Sequence, residues 1–139
     1  MVNEIKQDRP GNARFFACPS AVTSGMPCLI GTLAGVALDA YDSTLGGTVF
    51  RLSGSFALTV FGGDSTSAGN SQQINPGDEI YATGTHDATT NITYNLLLDA
   101  TKGNIPFGSL DQGTAIPAGQ SVANAVVKLK ESNSGAGGA

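Results

Sequence analysis

The amino-acid sequence predicts an all-β protein, a compact β-sandwich or barrel of short antiparallel strands. No stretch of about 12 residues carries the apolar spacing of an amphipathic helix without clusters of Gly, Pro or Thr. Short runs rich in Val, Ile, Leu, Phe and Thr are separated instead by Gly, Pro, Asn and Asp, which favour turns. This succession of short strands and turns is typical of sandwiches and barrels.

The predicted strands follow one another along most of the chain. They lie at residues 15–18, 28–31, 35–41, 48–52, 56–61, 79–83, 92–98, 105–108, 113–116 and 122–130. Apolar and polar residues alternate most clearly in 56–61 and at the end of the last run, as a half-buried strand requires. The residues predicted to face the core are Phe50, Leu52, Phe56, Leu58, Val60, Val127 and Leu129. Lys128 and Lys130 are predicted to face solvent.

The 139 residues fit a single β-domain at 15–131 between two ends of different composition. Residues 1–14 are polar, contain Pro10-Gly11 and lack the apolar region of a secretory signal, so we expect an N-terminal arm that is mobile in the free protein. Residues 132–139 (SNSGAGGA) are expected to form a disordered tail, and 62–70 (GGDSTSAGN) an exposed loop. No apolar run approaches the ~18 residues of a membrane span, so no membrane partner is expected.

A weak internal repeat links the two halves of the sequence. Residues 30–33 (IGTL) align with 107–110 (FGSL), and 49–52 (VFRL) align with 126–129 (VVKL), both at an offset of 77 positions. The alignment predicts two similar hairpins that each lead to a later strand, with Gly where the backbone bends or passes another strand closely. Chance similarity in a chain rich in Gly, Ala and Thr is the alternative.

The distribution of charge argues against nucleic-acid binding. The chain has 7 Lys and Arg against 11 Asp and Glu, for a net charge of -4. Between Arg51 and Lys102 there are five acidic residues and no basic one. Proteins that bind DNA or RNA usually present a basic face, because neutralising phosphates supplies much of their affinity. We therefore expect no nucleic-acid partner for the domain.

The sequence offers no catalytic, metal or cofactor site. The single histidine, His86, lies in a polar, turn-like segment and is expected to be an exposed loop residue, so a nucleophile–histidine–carboxylate arrangement is not expected. A structural zinc site needs about four ligands, which His86, Cys18 and Cys28 do not supply. We expect both cysteines to be free and semi-buried, with a disulfide as the alternative. The chain is therefore expected to be a binding or structural protein, not an enzyme.

Three segments taken together resemble the bacteriophage capsid cement, or head decoration, family. They are residues 21–37 (AVTSGMPCLIGTLAGVA), 75–81 (NPGDEIY) and 102–108 (KGNIPFG), followed by the last strand ending in VKL. The order and spacing of these segments carry the resemblance, which spans about residues 15–131. The loop at 62–70 and the Gly/Ala tail depart from the pattern of that family.

The resemblance implies a non-enzymatic virion protein, made in the host cytoplasm, that binds the outer face of an icosahedral phage head. It further implies a homo-oligomer, with a trimer favoured, that clamps neighbouring subunits of the phage major capsid protein. Lys6, Arg9 and Arg14 concentrate positive charge in the arm, so we expect them to pair with carboxylates of a neighbouring subunit or capsid protein. The alternative is a β-sandwich receptor- or carbohydrate-binding module of a fibre or adhesin, which ranks second because Trp is absent and only 3 Tyr are present.

Overall fold

The computed structural model describes residues 13–65 and 70–130, which form β-strands and no helix. The strands are β1 (Ala13–Ala17), β2 (Pro27–Ile30), β3 (Leu33–Ala37), β4 (Gly47–Arg51), β5 (Ser55–Phe61), β6 (Glu79–Asp87), β7 (Ile92–Asp99), β8 (Ile105–Leu110) and β9 (Ser121–Leu129). They are antiparallel and follow the order β1-β4-β3-β2-β7-β6-β8-β9-β5 in one hydrogen-bonded sheet. The prediction of an all-β protein built from short antiparallel strands is confirmed.

The observed strands coincide with all but one of the predicted runs. The run at 113–116 contributes only an isolated bridge between Ile116 and Ile74, because Gly113 and Pro117 leave little chain between them for a ladder. β6 continues to Asp87, beyond its predicted end at residue 83. β1 begins at Ala13, so the last two residues of the predicted 1–14 arm are strand residues; the rest of that arm and the predicted 132–139 tail lie outside the described residues.

The described residues group into two compact units. Unit 1 comprises 13–54 and 85–95. Its core is formed by the buried residues Cys18, Val22, Cys28, Ala37, Phe50 and Ile92. The Phe16 ring meets the Phe50 ring edge to face, with centroids 6.0 Å apart. Phe16 of β1 lies opposite Thr48 of β4, two residues from Phe50. The aromatic pair therefore packs the end strand β1 against the core through β4.

Unit 2 comprises 55–65, 70–84 and 96–130. β9 lies between β5 and β8, and β8 also pairs with β6. The predicted alternation is confirmed here: Leu58 and Val60 are buried while the intervening Thr59 is exposed, and Lys128 and Lys130 face solvent. Of the residues predicted to be in the core, Phe50, Leu58, Val60, Val127 and Leu129 are buried. Leu52 and Phe56 are only half-buried.

The two units share a strand connectivity that explains half of the sequence repeat. Each unit contains a three-strand group of the same kind: β1 pairs with β4, which also pairs with β3, and β5 pairs with β9, which also pairs with β8. The aligned segments at 49–52 and 126–129 occupy the equivalent strands β4 and β9, and place Phe50 and Val127 in corresponding buried positions. The match of 30–33 to 107–110 is wrong, because the first segment is the β2–β3 turn and the second lies inside β8. By register, Gly35 of β3 is the counterpart of Gly108.

Candidate interaction surface

A row of apolar side chains runs across β1, β4 and the residue that follows β3, on the sheet face opposite Phe50. Phe15 lies opposite Val49 of β4, and the Leu38 N–H donates to the Val49 carbonyl oxygen at 2.9 Å. Phe15 is 46% exposed and Leu38 is 37% exposed, whereas Val49 between them is half-buried. Single exposed apolar residues are ordinary, but neighbouring ones point to a protein-binding surface.

The turn before β4 carries a further exposed apolar residue, Leu45. Asp42 fixes the turn: its Oδ1 accepts the N–H groups of Thr44 and Leu45 at 2.8 and 3.3 Å, and its carbonyl oxygen accepts the Gly46 N–H at 2.7 Å. Gly46 supplies the positive φ of 75° that closes the turn. Leu45, 64% exposed, is therefore held on an ordered turn.

Gly47 joins the turn to the row, since it lies two residues after Leu45 in the chain and next to Phe15 in space. The Phe15 ring lies across this glycine, because a Cβ at Gly47 would stand 2.9 Å from Phe15 Cζ. We refer to Phe15, Leu38, Leu45 and Val49 as the apolar patch. Only one other large apolar side chain among the described residues is exposed, Leu97 of β7.

Of the three basic residues that the sequence predicted as contacts, only Arg14 lies among the described residues; Lys6 and Arg9 lie outside them. Arg14 is exposed on β1 next to Phe15, but adjacent strand residues face opposite sides, so its side chain lies on the other face of the sheet from the apolar patch. Arg51 of β4 lies on the same sheet face as Val49, two residues further along the strand. In the described part of the chain, its Nε is buried without a hydrogen-bond partner, a state that costs about 1–3 kcal/mol.

His86, Cys18 and Cys28 all lie in unit 1. His86 lies in β6, not in the predicted loop, and its Nδ1 is 3.0 Å from the Thr93 hydroxyl oxygen of β7. The polar composition of residues 84–87 (GTHD) predicts a turn, whereas in the structure these residues continue β6. Cys18 and Cys28 are free and fully buried, deeper than predicted. Burial, with a smaller contribution from Cys18, raises the pKa of the Cys28 thiol to about 12.

Unit 2 contains a polar surface cleft of about 250 Å³. It is lined by Asp64, Gln72, Gln73, Asp78, Glu79, Tyr81, Ala100 and Lys102. Several of these groups are engaged by the protein itself. Asp78 Oδ2 accepts the Asn75 N–H at 2.9 Å, Tyr81 donates its hydroxyl to Glu79 Oε1 at 3.3 Å, and Glu79 Oε2 is 3.6 Å from Lys130 Nζ. Desolvation and then the Glu79 carboxylate raise the pKa of the Tyr81 phenol.

Within residues 13–65 and 70–130, no group of three or more His, Cys, Asp and Glu side chains is arranged to hold a metal ion. No helix in this part of the chain is long and apolar enough to cross a membrane. Comparisons with protein-family models, with curated proteins and with solved structures found no match to this chain.

The sequence pointed to the arm as the contact region and missed the apolar patch. One signal was present: adjacent Phe15 and Phe16 in a strand must face opposite sides, so one of the two rings had to leave the core. Leu45 gave no such signal, because its exposure depends on the turn that Asp42 closes.

Proposed function

We propose that this chain is a structural protein of the virion that binds the outer surface of a bacteriophage head. In this role it stabilises the capsid by holding neighbouring subunits of the major capsid protein together. The proposal combines the resemblance of the three sequence segments to the head decoration family with one structural observation, the apolar patch. A virion protein of this kind acts through such a surface, not through a catalytic site.

The chemistry of the apolar patch supports protein binding in particular. Phe15 and Leu45 present an aromatic ring and a branched aliphatic group on ordered elements, so little conformational entropy is lost when a partner covers them. Arg51, on the same sheet face as Val49, places positive charge beside the patch. The patch therefore suits a partner surface that offers an apolar pocket bordered by carboxylates.

A head-binding assay tests this proposal. The purified chain is mixed with undecorated phage heads, and binding is followed by cosedimentation and negative-stain microscopy. We expect the wild-type chain to decorate the heads, and the double variant Phe15→Ser, Leu45→Ser to bind at least about tenfold more weakly, as for loss of interface anchors. Leu97→Ser is the matched control, since Leu97 is 49% exposed but lies outside the apolar patch. Equal binding by the double variant and the control would contradict the assignment of the surface.

The polar cleft of unit 2 favours a second candidate, a receptor- or carbohydrate-binding module. Carboxylates and carboxamides beside a tyrosine can form hydrogen bonds with sugar hydroxyls. A glycan array probed with the wild-type chain and with Gln73→Ala distinguishes the two candidates. Binding that depends on Gln73 would support the second candidate, whereas head decoration without glycan binding would support the first.

A further inference from the structure

β5 is the strand at one end of the hydrogen-bonded sheet. β5 pairs with β9 on one side and has no strand neighbour on the other among the described residues. Its sequence, SFALTVF, contains no charged residue and no proline. Natural proteins usually protect an open edge with Lys, Pro or a bulge in the edge strand, because an unprotected edge recruits another strand. The β5–β9 pair contains a bulge between Leu58 and Val60, but the extra residue is in β9. β5 itself is therefore a regular strand.

The backbone groups that β5 leaves open can be identified from its neighbour. The Val126 N–H donates to Gln112 Oε1 at 2.8 Å, and the Val126 carbonyl oxygen accepts the Asp111 N–H at 2.8 Å. The backbone of Val126 is therefore turned towards the residues that follow β8. Since Ala57 lies opposite Val126, the N–H and C=O of Ala57 point away from β9, to the open edge.

Along a β-strand the backbone N–H and C=O groups point to the same side at every second residue. Ser55 and Thr59 therefore also present their N–H and C=O groups at the open edge. The Gly62 N–H donates to the carbonyl oxygen of Gln120, the residue before β9. The even-numbered residues of β5 therefore direct their backbone groups towards β9, as this alternation requires. The edge thus offers three regularly spaced donor–acceptor pairs.

The side chains around these open groups suit a second copy of the same strand. Ser55, Ala57 and Thr59 are exposed, small and uncharged, so another strand can approach without steric or charge conflict. The edge strand at the other end of the sheet differs, since β1 carries the charged Arg14 and continues directly from residues 1–12, which lie outside the described residues.

We propose that two copies of this chain pair edge to edge through β5, antiparallel about a two-fold axis at Ala57. In this register Ala57 lies opposite Ala57 of the second copy, and Ser55 lies opposite Thr59. All three positions with open backbone groups then meet as hydrogen-bonded pairs, giving about six main-chain hydrogen bonds. On the other face Phe56 meets Leu58, an apolar cross-strand pair of a stabilising type.

This contact is isologous, so it produces a dimer and not the trimer that the resemblance implies. It is independent of head binding, because it uses β5 and not the apolar patch. We therefore expect a solution mass of twice the 14.0 kDa of one chain at micromolar concentration, measured by light scattering after gel filtration. A monomer at all concentrations, or a trimer, would overturn the proposal whatever the outcome of the head-binding assay.

Cross-linking tests the register itself. Cα atoms of a hydrogen-bonded pair lie about 5.5 Å apart, within the range that a disulfide spans. We expect Ala57→Cys to form a disulfide-linked dimer under mild oxidation, while the buried Cys18 and Cys28 stay unreacted. Asn124→Cys, exposed on β9 away from the edge, is the matched control and is expected to remain unlinked. Equal cross-linking of the two variants would overturn the register.

A charge exchange at the axis provides a second, reversible test. Ala57→Lys places two ammonium groups opposite each other, and Ala57→Glu two carboxylates, so each variant alone is expected to dissociate at least about tenfold more readily. An equimolar mixture is expected to form the dimer again, because Lys then lies opposite Glu. Circular dichroism identical to that of the wild-type chain shows that each variant is folded. Dimerisation of Ala57→Lys with the wild-type dissociation constant would overturn the proposal.

Discussion

The substitution Leu58→Ala tests the packing of β5 in unit 2. Leu58 is 5% exposed and shares its face with Val60, which is fully buried. Removing three carbon atoms forfeits about 2.4 kcal/mol of transfer free energy, at about 0.8 kcal/mol for each. The cavity left behind adds to this, and such substitutions cost about 2–5 kcal/mol in all. We expect a loss of about 2.5–3.5 kcal/mol, in the lower part of that range, because β5 has a strand neighbour on one side only and the site can partly collapse.

Urea unfolding followed by circular dichroism measures this loss, with the free energy extrapolated linearly to water. The protein concentration is held constant across variants, because self-association through β5 would itself contribute to stability. Leu97→Ala is the matched control. Because half of the Leu97 side chain is in solvent, this substitution is expected to lower the free energy of unfolding by less than about 1 kcal/mol. A loss below about 0.5 kcal/mol for Leu58→Ala, with an unchanged m value, would refute the assignment of this face to the core.

Four further predictions concern other parts of the chain. Gly108→Ala should cost about 1–3 kcal/mol in the same urea assay, because its Cβ would collide with the carbonyl oxygen of Lys128; wild-type stability would contradict that close approach. Because the folded state raises the pKa of Cys28 from 9.0 to about 12, it keeps a proton above pH 9 that the unfolded chain loses. The free energy of unfolding should therefore fall with rising pH, by up to about 1.4 kcal/mol per pH unit for this thiol, and Cys28→Ala should flatten the slope. His86→Ala should change stability by no more than about 0.5 kcal/mol, since His86 is exposed, and a larger loss would show that its contact with the β7 hydroxyl matters. Deletion of residues 1–12, which spares β1, should leave the melting temperature unchanged but weaken head binding; decoration as tight as that of the full chain would show that the arm makes no contact.

The sequence was sufficient to predict where the strands lie, because turn residues and β-branched runs act locally. It could not predict where pairing stops. Residues 113–116 have the composition of a strand, yet only Ile116 finds a partner, across the sequence at Ile74. The segment at 84–87 has the composition of a turn, yet it belongs to β6, where His86 contacts Thr93 of the neighbouring strand β7. In both cases the partner, not the local sequence, decides the outcome.

The candidate surface was less predictable than the fold for a related reason. Alternation assigned Leu58 and Val60 to the core correctly, since both side chains are buried. The same rule cannot show that Phe15, on a strand at the end of the sheet, is left 46% exposed by the described residues. Charged residues can be identified in a sequence without knowing their neighbours in space. For this reason the sequence indicated Arg14 as a contact residue and not the adjacent Phe15.

The most direct test of the proposed function is the stability of the heads themselves. Undecorated heads are heated with and without saturating chain, and their disruption is followed by release of packaged DNA and by electron microscopy. Stabilisation of the capsid predicts a higher disruption temperature with the wild-type chain and no increase with the Phe15→Ser, Leu45→Ser variant. An unchanged disruption temperature at concentrations that saturate the heads would contradict the central claim.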